Sequence, residues 1–206
     1  MASVASPYGL KPVNLIGGLP YAGSTRSFLI DPAGYAVNIF NGSIVSLNSS
    51  GYLNVVTTNG DNSTPFPAGT IGVFVGCSYV NAQGQVIYAQ NYPASYAAPT
   101  GTAITAYVVD DDRAVFQVQS AGTVTQAALG ANVYLNAVQS TSTGSTRTGN
   151  SNTAVVAGAS AITTGGAFRV VGFVDMQGFS TVGDAFTDIL VKFNPASHSY
   201  SNATGI

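Results

Sequence analysis

The sequence predicts an all-β fold: a single β-barrel or jelly-roll-like β-sandwich domain over residues 22–206, behind an extended N-terminal arm over residues 1–21. Three observations predict it. The 206 residues contain no Glu, all eight acidic residues are Asp, and Lys occurs only at Lys11 and Lys192. Glu and Lys are strong helix formers, so their scarcity argues against exposed helices. The 24 glycines, with frequent Ser, Thr and Asn, suit many tight turns. Period-two runs of β-branched and aromatic residues recur, clearest at Ile71–Tyr79 and Ala114–Gln119.

The arm holds Pro7, Pro12 and Pro20 with Gly9, Gly17 and Gly18, and no periodic pattern develops between them. Its apolar residues Tyr8, Leu10, Val13, Leu15 and Ile16 are the candidate contacts with another subunit. Ser24 to Ile30 reads as a strand, followed by a turn at Asp31-Pro32-Ala33-Gly34. Ile44–Leu47 and Leu53–Thr57 read as a hairpin around Asn48-Ser49-Ser50-Gly51. Thr70–Tyr79 is the longest alternation, with Ile71, Val73, Val75, Cys77 and Tyr79 expected on one face. Asn81-Ala82-Gln83-Gly84 returns it into Gln85–Ala89. Tyr88, Tyr92 and Tyr96 read as lying in a loop with Pro93 and Pro99, where they either form a binding surface or cover a core edge. Ile104–Val109 and Ala114–Gln119 flank the turn Asp110-Asp111-Asp112-Arg113, the densest charge in the chain. Ala121–Gly130 is the one candidate helical turn. Gln139–Asn152 reads as an exposed or partner-ordered low-complexity loop. Phe168–Val174 and Asp188–Phe193 close the chain. About ten short strands with turns between them indicate a barrel or sandwich.

Charge and chemistry narrow the function classes. Charged residues make up 7% of the chain and the net charge is −2. That sign and size do not suit phosphate neutralisation, so no nucleic-acid partner is expected. Nor is a membrane span, because no run of about 18 apolar residues occurs. The sole Cys77 cannot form an intramolecular disulfide and reads as a small core residue. His198 is the only histidine and reads as a tail residue. No nucleophile–base set, metal-ligand cluster or phosphate loop is visible, so neither enzyme activity nor a cofactor is expected. For the acidic turn a solvated turn or a salt bridge to Arg113 is favoured over a bound calcium.

Several stretches together carry a resemblance. A strand ending in Val109-Asp110-Asp111, a short turn, then Val115-Phe116-Gln117-Val118-Gln119 looks like decoration or cement proteins of tailed-bacteriophage heads. Ser6-Pro7-Tyr8-Gly9-Leu10-Lys11-Pro12-Val13 is similar to their opening. Phe168-Arg169-Val170-Val171-Gly172-Phe173-Val174-Asp175, Gly183-Asp184-Ala185 and Val191-Lys192-Phe193-Asn194 are similar to their closing strands, and His198-Ser199-Tyr200 with Thr204-Gly205-Ile206 to their ends. The family pattern has a Pro in the acidic turn, where this chain has Asp112-Arg113. The resemblance implies a virion structural protein on the capsid surface, present in host cytoplasm during assembly. Its partners would be the major capsid protein and further copies of itself, a trimer being favoured. The alternative is a carbohydrate- or receptor-binding β domain of a tail or surface structure, carried by Tyr88, Tyr92 and Tyr96.

Overall fold

The structure is a computed structural model that describes residues 4–156, 165–176 and 180–206. Its strands are β1 (Lys11–Leu15), β2 (Arg26–Ile30), β3 (Ile39–Phe40), β4 (Ile44–Leu47), β5 (Leu53–Val55), β6 (Thr70–Val80), β7 (Val86–Ala89), β8 (Asn91–Tyr92), β9 (Ile104–Val109), β10 (Ala114–Gln119), β11 (Asn132–Val133), β12 (Phe168–Phe173) and β13 (Asp188–Phe193). The fold is all-β, sandwich-like and antiparallel, and no sheet closes into a barrel. One sheet has the order β1-β10-β13-β12-β11. The other runs β2-β9-β6-β4-β5, with β7 also on β6, and β3 pairs β8 as a small ribbon. The second sheet curls until its edge strands β2 and β5 touch, without a ladder between them.

Two cores result. The first lies between the sheets, where Phe116, Phe168 and Phe193 meet Ile44, Val56, Val73 and Val109. Its rings pack edge-on, Phe66 against Phe168 at 5.6 Å and Phe116 against Phe193 at 5.8 Å; such pairs add to plain area burial. The second fills the curl, with Ile30, Val45, Leu53, Ile71, Phe74, Cys77, Tyr92, Ile104 and Val108. Burial pushes the Cys77 thiol up to about 12, so this side chain packs and stays protonated.

β6 serves both cores, and this departs from the single buried face expected of it. Ile71, Phe74 and Cys77 enter the second core, while Val73 and Val75 turn to the first. Two register shifts cause the exchange. The pairing with β4 skips Ile71, and the pairing with β9 skips Val75. Each skipped residue is a β-bulge, which reverses the side-chain alternation beyond it. Gly72 and Gly76 follow the bulges at φ of 147° and 152°, a region that side chains disfavour.

The arm is not separate: β1 pairs β10, and Leu10 is fully buried in the first core. The helical turn shrinks to one 3-10 turn at Gln126–Ala128. The expected loop begins with buried Gln139, whose amide Nε2 donates to Ile44 O and Val56 O at 3.0 and 2.9 Å. Its Oε1 accepts from Ile44 N at 2.8 Å. One amide thereby satisfies three backbone groups between β4 and the end of β5.

A Cβ added at Gly72 would lie 2.0 Å from the Val109 carbonyl oxygen. Gly72→Ala is therefore expected to cost about 3 kcal/mol or more, lowering Tm by roughly 6–12 °C. Gly84, at φ of 80° with open space around its Cβ position, is the control and should lose only about 1–2 kcal/mol as Ala. Thermal melts of both variants check this; equal shifts would remove the steric explanation.

Candidate functional site

The five predicted contact residues do not share one environment. Leu10 is spent in the first core. Leu15 packs against that core from the rim. Tyr8 is half-buried beneath the Lys11 ammonium, which lies 4.2 Å from its ring centroid. Its hydroxyl is buried without a hydrogen bond, and desolvation with the nearby Asp188 charge raises its pKa. Only Val13 and Ile16 are substantially exposed. The arm thus divides into an anchor, Tyr8 to Leu10, and a projecting tip.

The tip is a tight reversal. Leu15 N–H donates to Leu19 O at 2.8 Å, and Gly18 N–H to Leu15 O at 3.1 Å. Ile16 N–H donates to Arg113 O at 2.8 Å, fixing the tip beside the acidic turn. Leu19, 66% exposed, joins Ile16 there as a bare apolar side chain. Sequence reading missed Leu19, although it follows the Gly17-Gly18 pair that signals a turn. Beside the tip runs a groove of about 440 Å³ lined by Ile16, Arg169, Val171, Lys192, Phe193 and Pro195. Its apolar floor and two cations suit a partner with apolar anchors and a carboxylate or carbonyl rim.

The acidic turn is a clasp for the C-terminus. Asp110 pairs with Arg26 at 3.0 Å, in place of the expected Arg113. It also accepts from Tyr200 Oη at 2.9 Å, while Asp112 accepts from Ser201 Oγ at 2.9 Å. Asp111 caps its own turn by accepting Arg113 N–H at 2.8 Å. The tail is therefore docked, and His198 is buried, contrary to its reading as a loose tail residue. Its ring stands edge-on between Phe193 and Tyr200, and Nδ1 accepts Tyr200 N–H at 3.3 Å. Only a neutral imidazole can accept there.

The three tyrosines separate as well. Tyr92 is fully buried and donates its hydroxyl to Tyr96 O at 2.8 Å. Tyr96 leans on Tyr79 at 4.5 Å and bonds Val80 O. Tyr88 alone is open, at 75% exposure. A shared ligand surface of the three rings does not form; two of them cover the second core.

No family model, curated protein or solved structure matches this chain.

Burial holds the His198 pKa below its ordinary 6.5, and Lys192 adds to this against the opposing Asp112 and Asp110 charges. The unfolded chain then takes up the proton more readily than the folded one. Stability from the neutral ring is full above the unfolded pKa and declines as pH falls through 6.5. Tm should therefore drop as pH falls from about 7.5 to about 5, and His198→Gln should flatten that slope. Melts of both proteins across this range check it; parallel slopes would remove His198 as the cause.

Proposed function

We propose that this chain is a structural protein of a tailed-bacteriophage head, a decoration or cement protein that binds across major capsid subunits and stabilises the shell. Its place would be the capsid surface of the virion, reached from host cytoplasm during assembly. The observation that carries this reading is the tip at Ile16–Leu19, where a tied reversal holds Ile16 and Leu19 bare beside an apolar groove. A weakly charged chain, 7% charged residues, leaves such a surface dependent on cover. The resemblance of both ends and the acidic turn to head decoration proteins supplies the kind of partner.

The mechanism is clamping by apolar burial. The anchor at Leu10 and the pairing of β1 with β10 hold the tip rigid, so docking orders little chain. Fully burying one Leu or Ile side chain contributes about 1.5–3 kcal/mol. Two such side chains per copy, repeated over a shell, stabilise neighbouring subunits without any single strong contact. Self-association into a homo-oligomer would multiply the footprint.

The test is binding to purified shells lacking this protein. Ile16→Asp and Leu19→Asp should each weaken attachment about tenfold or more, with thermal melts unchanged. Imaging of decorated particles should place the tip at the capsid surface. Full occupancy by the double variant, or a tip facing solvent in the particle, would reject the reading. Deleting 2–16 is a poor test, because it would remove Leu10 and β1 from the fold itself.

A further inference from the structure

Among the described residues the sheet edges are closed by neighbouring chain or are very short, except at β7. The outer edge of β1 is closed by the returning chain, through the Leu15–Leu19 bond, an Asn14–Pro20 bridge and Tyr21 N–H to Val13 O at 3.5 Å. β5 meets β2 across the curl, and its Val55 N–H is capped by Tyr35 Oη at 3.2 Å. β2 begins at Arg26, held by Asp110. β11 is only two residues long. β7 pairs β6 on one side, and among the described residues nothing pairs its other side.

β7 also lacks the devices that protect an open edge. It has no proline, no charge and no bulge, since its register runs unbroken from Cys77–Ala89 to Val80–Val86. An open, regular, uncharged edge is a template for another strand. The ladder sets which groups are offered. Asn81 N–H donates to Gln85 O at 2.8 Å, so residues two further along, Ile87 and then Ala89, also bond to β6. Val86 and Tyr88 therefore direct their N–H and C=O groups outward. Their side chains are exposed too, at 59% and 75%.

The face beside this edge is uncharged and partly open. Leu29, Thr105, Ser78 and Tyr88 lie opposite one another in a cross-strand row over β2, β9, β6 and β7. Leu29 is 48% exposed at its far end. The chain has no Asp, Glu, Lys or Arg between Asp61 and Asp110. This whole stretch, β7 included, can meet a copy of itself without like-charge repulsion.

We propose that β7 pairs with β7 of a second copy, antiparallel about a twofold axis beside Ile87. Val86 then faces Tyr88 of the second copy, and Tyr88 faces its Val86, each pair exchanging two N–H···O bonds. The contact is isologous and uses both open edges, so it stops at a dimer. A threefold ring, the oligomer expected from the resemblance, would leave this self-complementary edge unmatched. The inference does not rest on the capsid reading and holds or fails in free solution.

Sedimentation velocity of the full chain over a concentration series tests it. The wild-type protein should pass from monomer to dimer, and Val86→Lys with Tyr88→Lys should stay monomeric with an unchanged circular dichroism spectrum. Val86→Pro removes an outward N–H without adding charge and should also weaken the dimer. Hydrogen exchange on the wild-type protein covers the case of variants that fail to fold. The Val86 and Tyr88 amides should become protected as concentration rises, while Ile87 stays protected throughout. A wild-type monomer at every concentration, a trimer, a folded lysine variant that dimerises normally, or exchange at Val86 and Tyr88 independent of concentration would each overturn the proposal.

Discussion

The tightest approach of a described glycine to another stretch of backbone is that of β6 to β9 at Gly72, where an added Cβ would lie 2.0 Å from the Val109 carbonyl oxygen. Everything larger depends on that crossing. With a side chain there, β6 would stand off β9 and the bulge at Ile71 would have no room. Without the bulges, the strand would offer one apolar face to one core. With them, it offers Ile71, Phe74 and Cys77 to one side and Val73 and Val75 to the other. A single strand thus ties the curl to the sandwich. Large buried side chains such as Phe74 cost about 3–5 kcal/mol when truncated, so both cores draw substantial stability from one backbone path.

Much of the β-structure was legible from local pattern. The hairpins around Asn48–Gly51 and Asn81–Gly84 follow from turn residues between alternating runs, and they stand as expected. The alternation over Ala114–Gln119 likewise marked β10 with its observed bounds. What local pattern missed were long-range effects. β1 carries Pro12 and a register shift at Val13, so no periodicity marks it; its partner β10 lies about a hundred residues away. Bulges leave no trace beyond glycines in a strand, which is why the two faces of β6 were read as one. The tail was misread because its anchors, Asp110, Asp112 and Phe193, are remote or generic in sequence.

The same asymmetry governs the functional surface. Charge is sparse and is concentrated where the chain ties its own ends: Asp110 and Asp112 bind the tail, and Arg113 lends its carbonyl to the tip at Ile16. The stretch from Asn62 to Val109 carries no charge, and there β7 lies open. Low charge would harm a solitary monomer through self-association. In a protein built to be covered it permits close contact without desolvating ions. The tip and the β7 edge are different surfaces, one on each sheet, so the proposed attachment at the tip and the proposed pairing at β7 do not compete.

By serving both cores, β6 makes them one cooperative unit. Differential scanning calorimetry tests it most directly, by comparing the calorimetric with the van't Hoff enthalpy. A shared strand predicts one transition with the two enthalpies equal. Two resolved transitions, or a calorimetric enthalpy well above the van't Hoff value, would mean that the curl and the sandwich unfold separately. That result would contradict the account of β6 as the element that couples them.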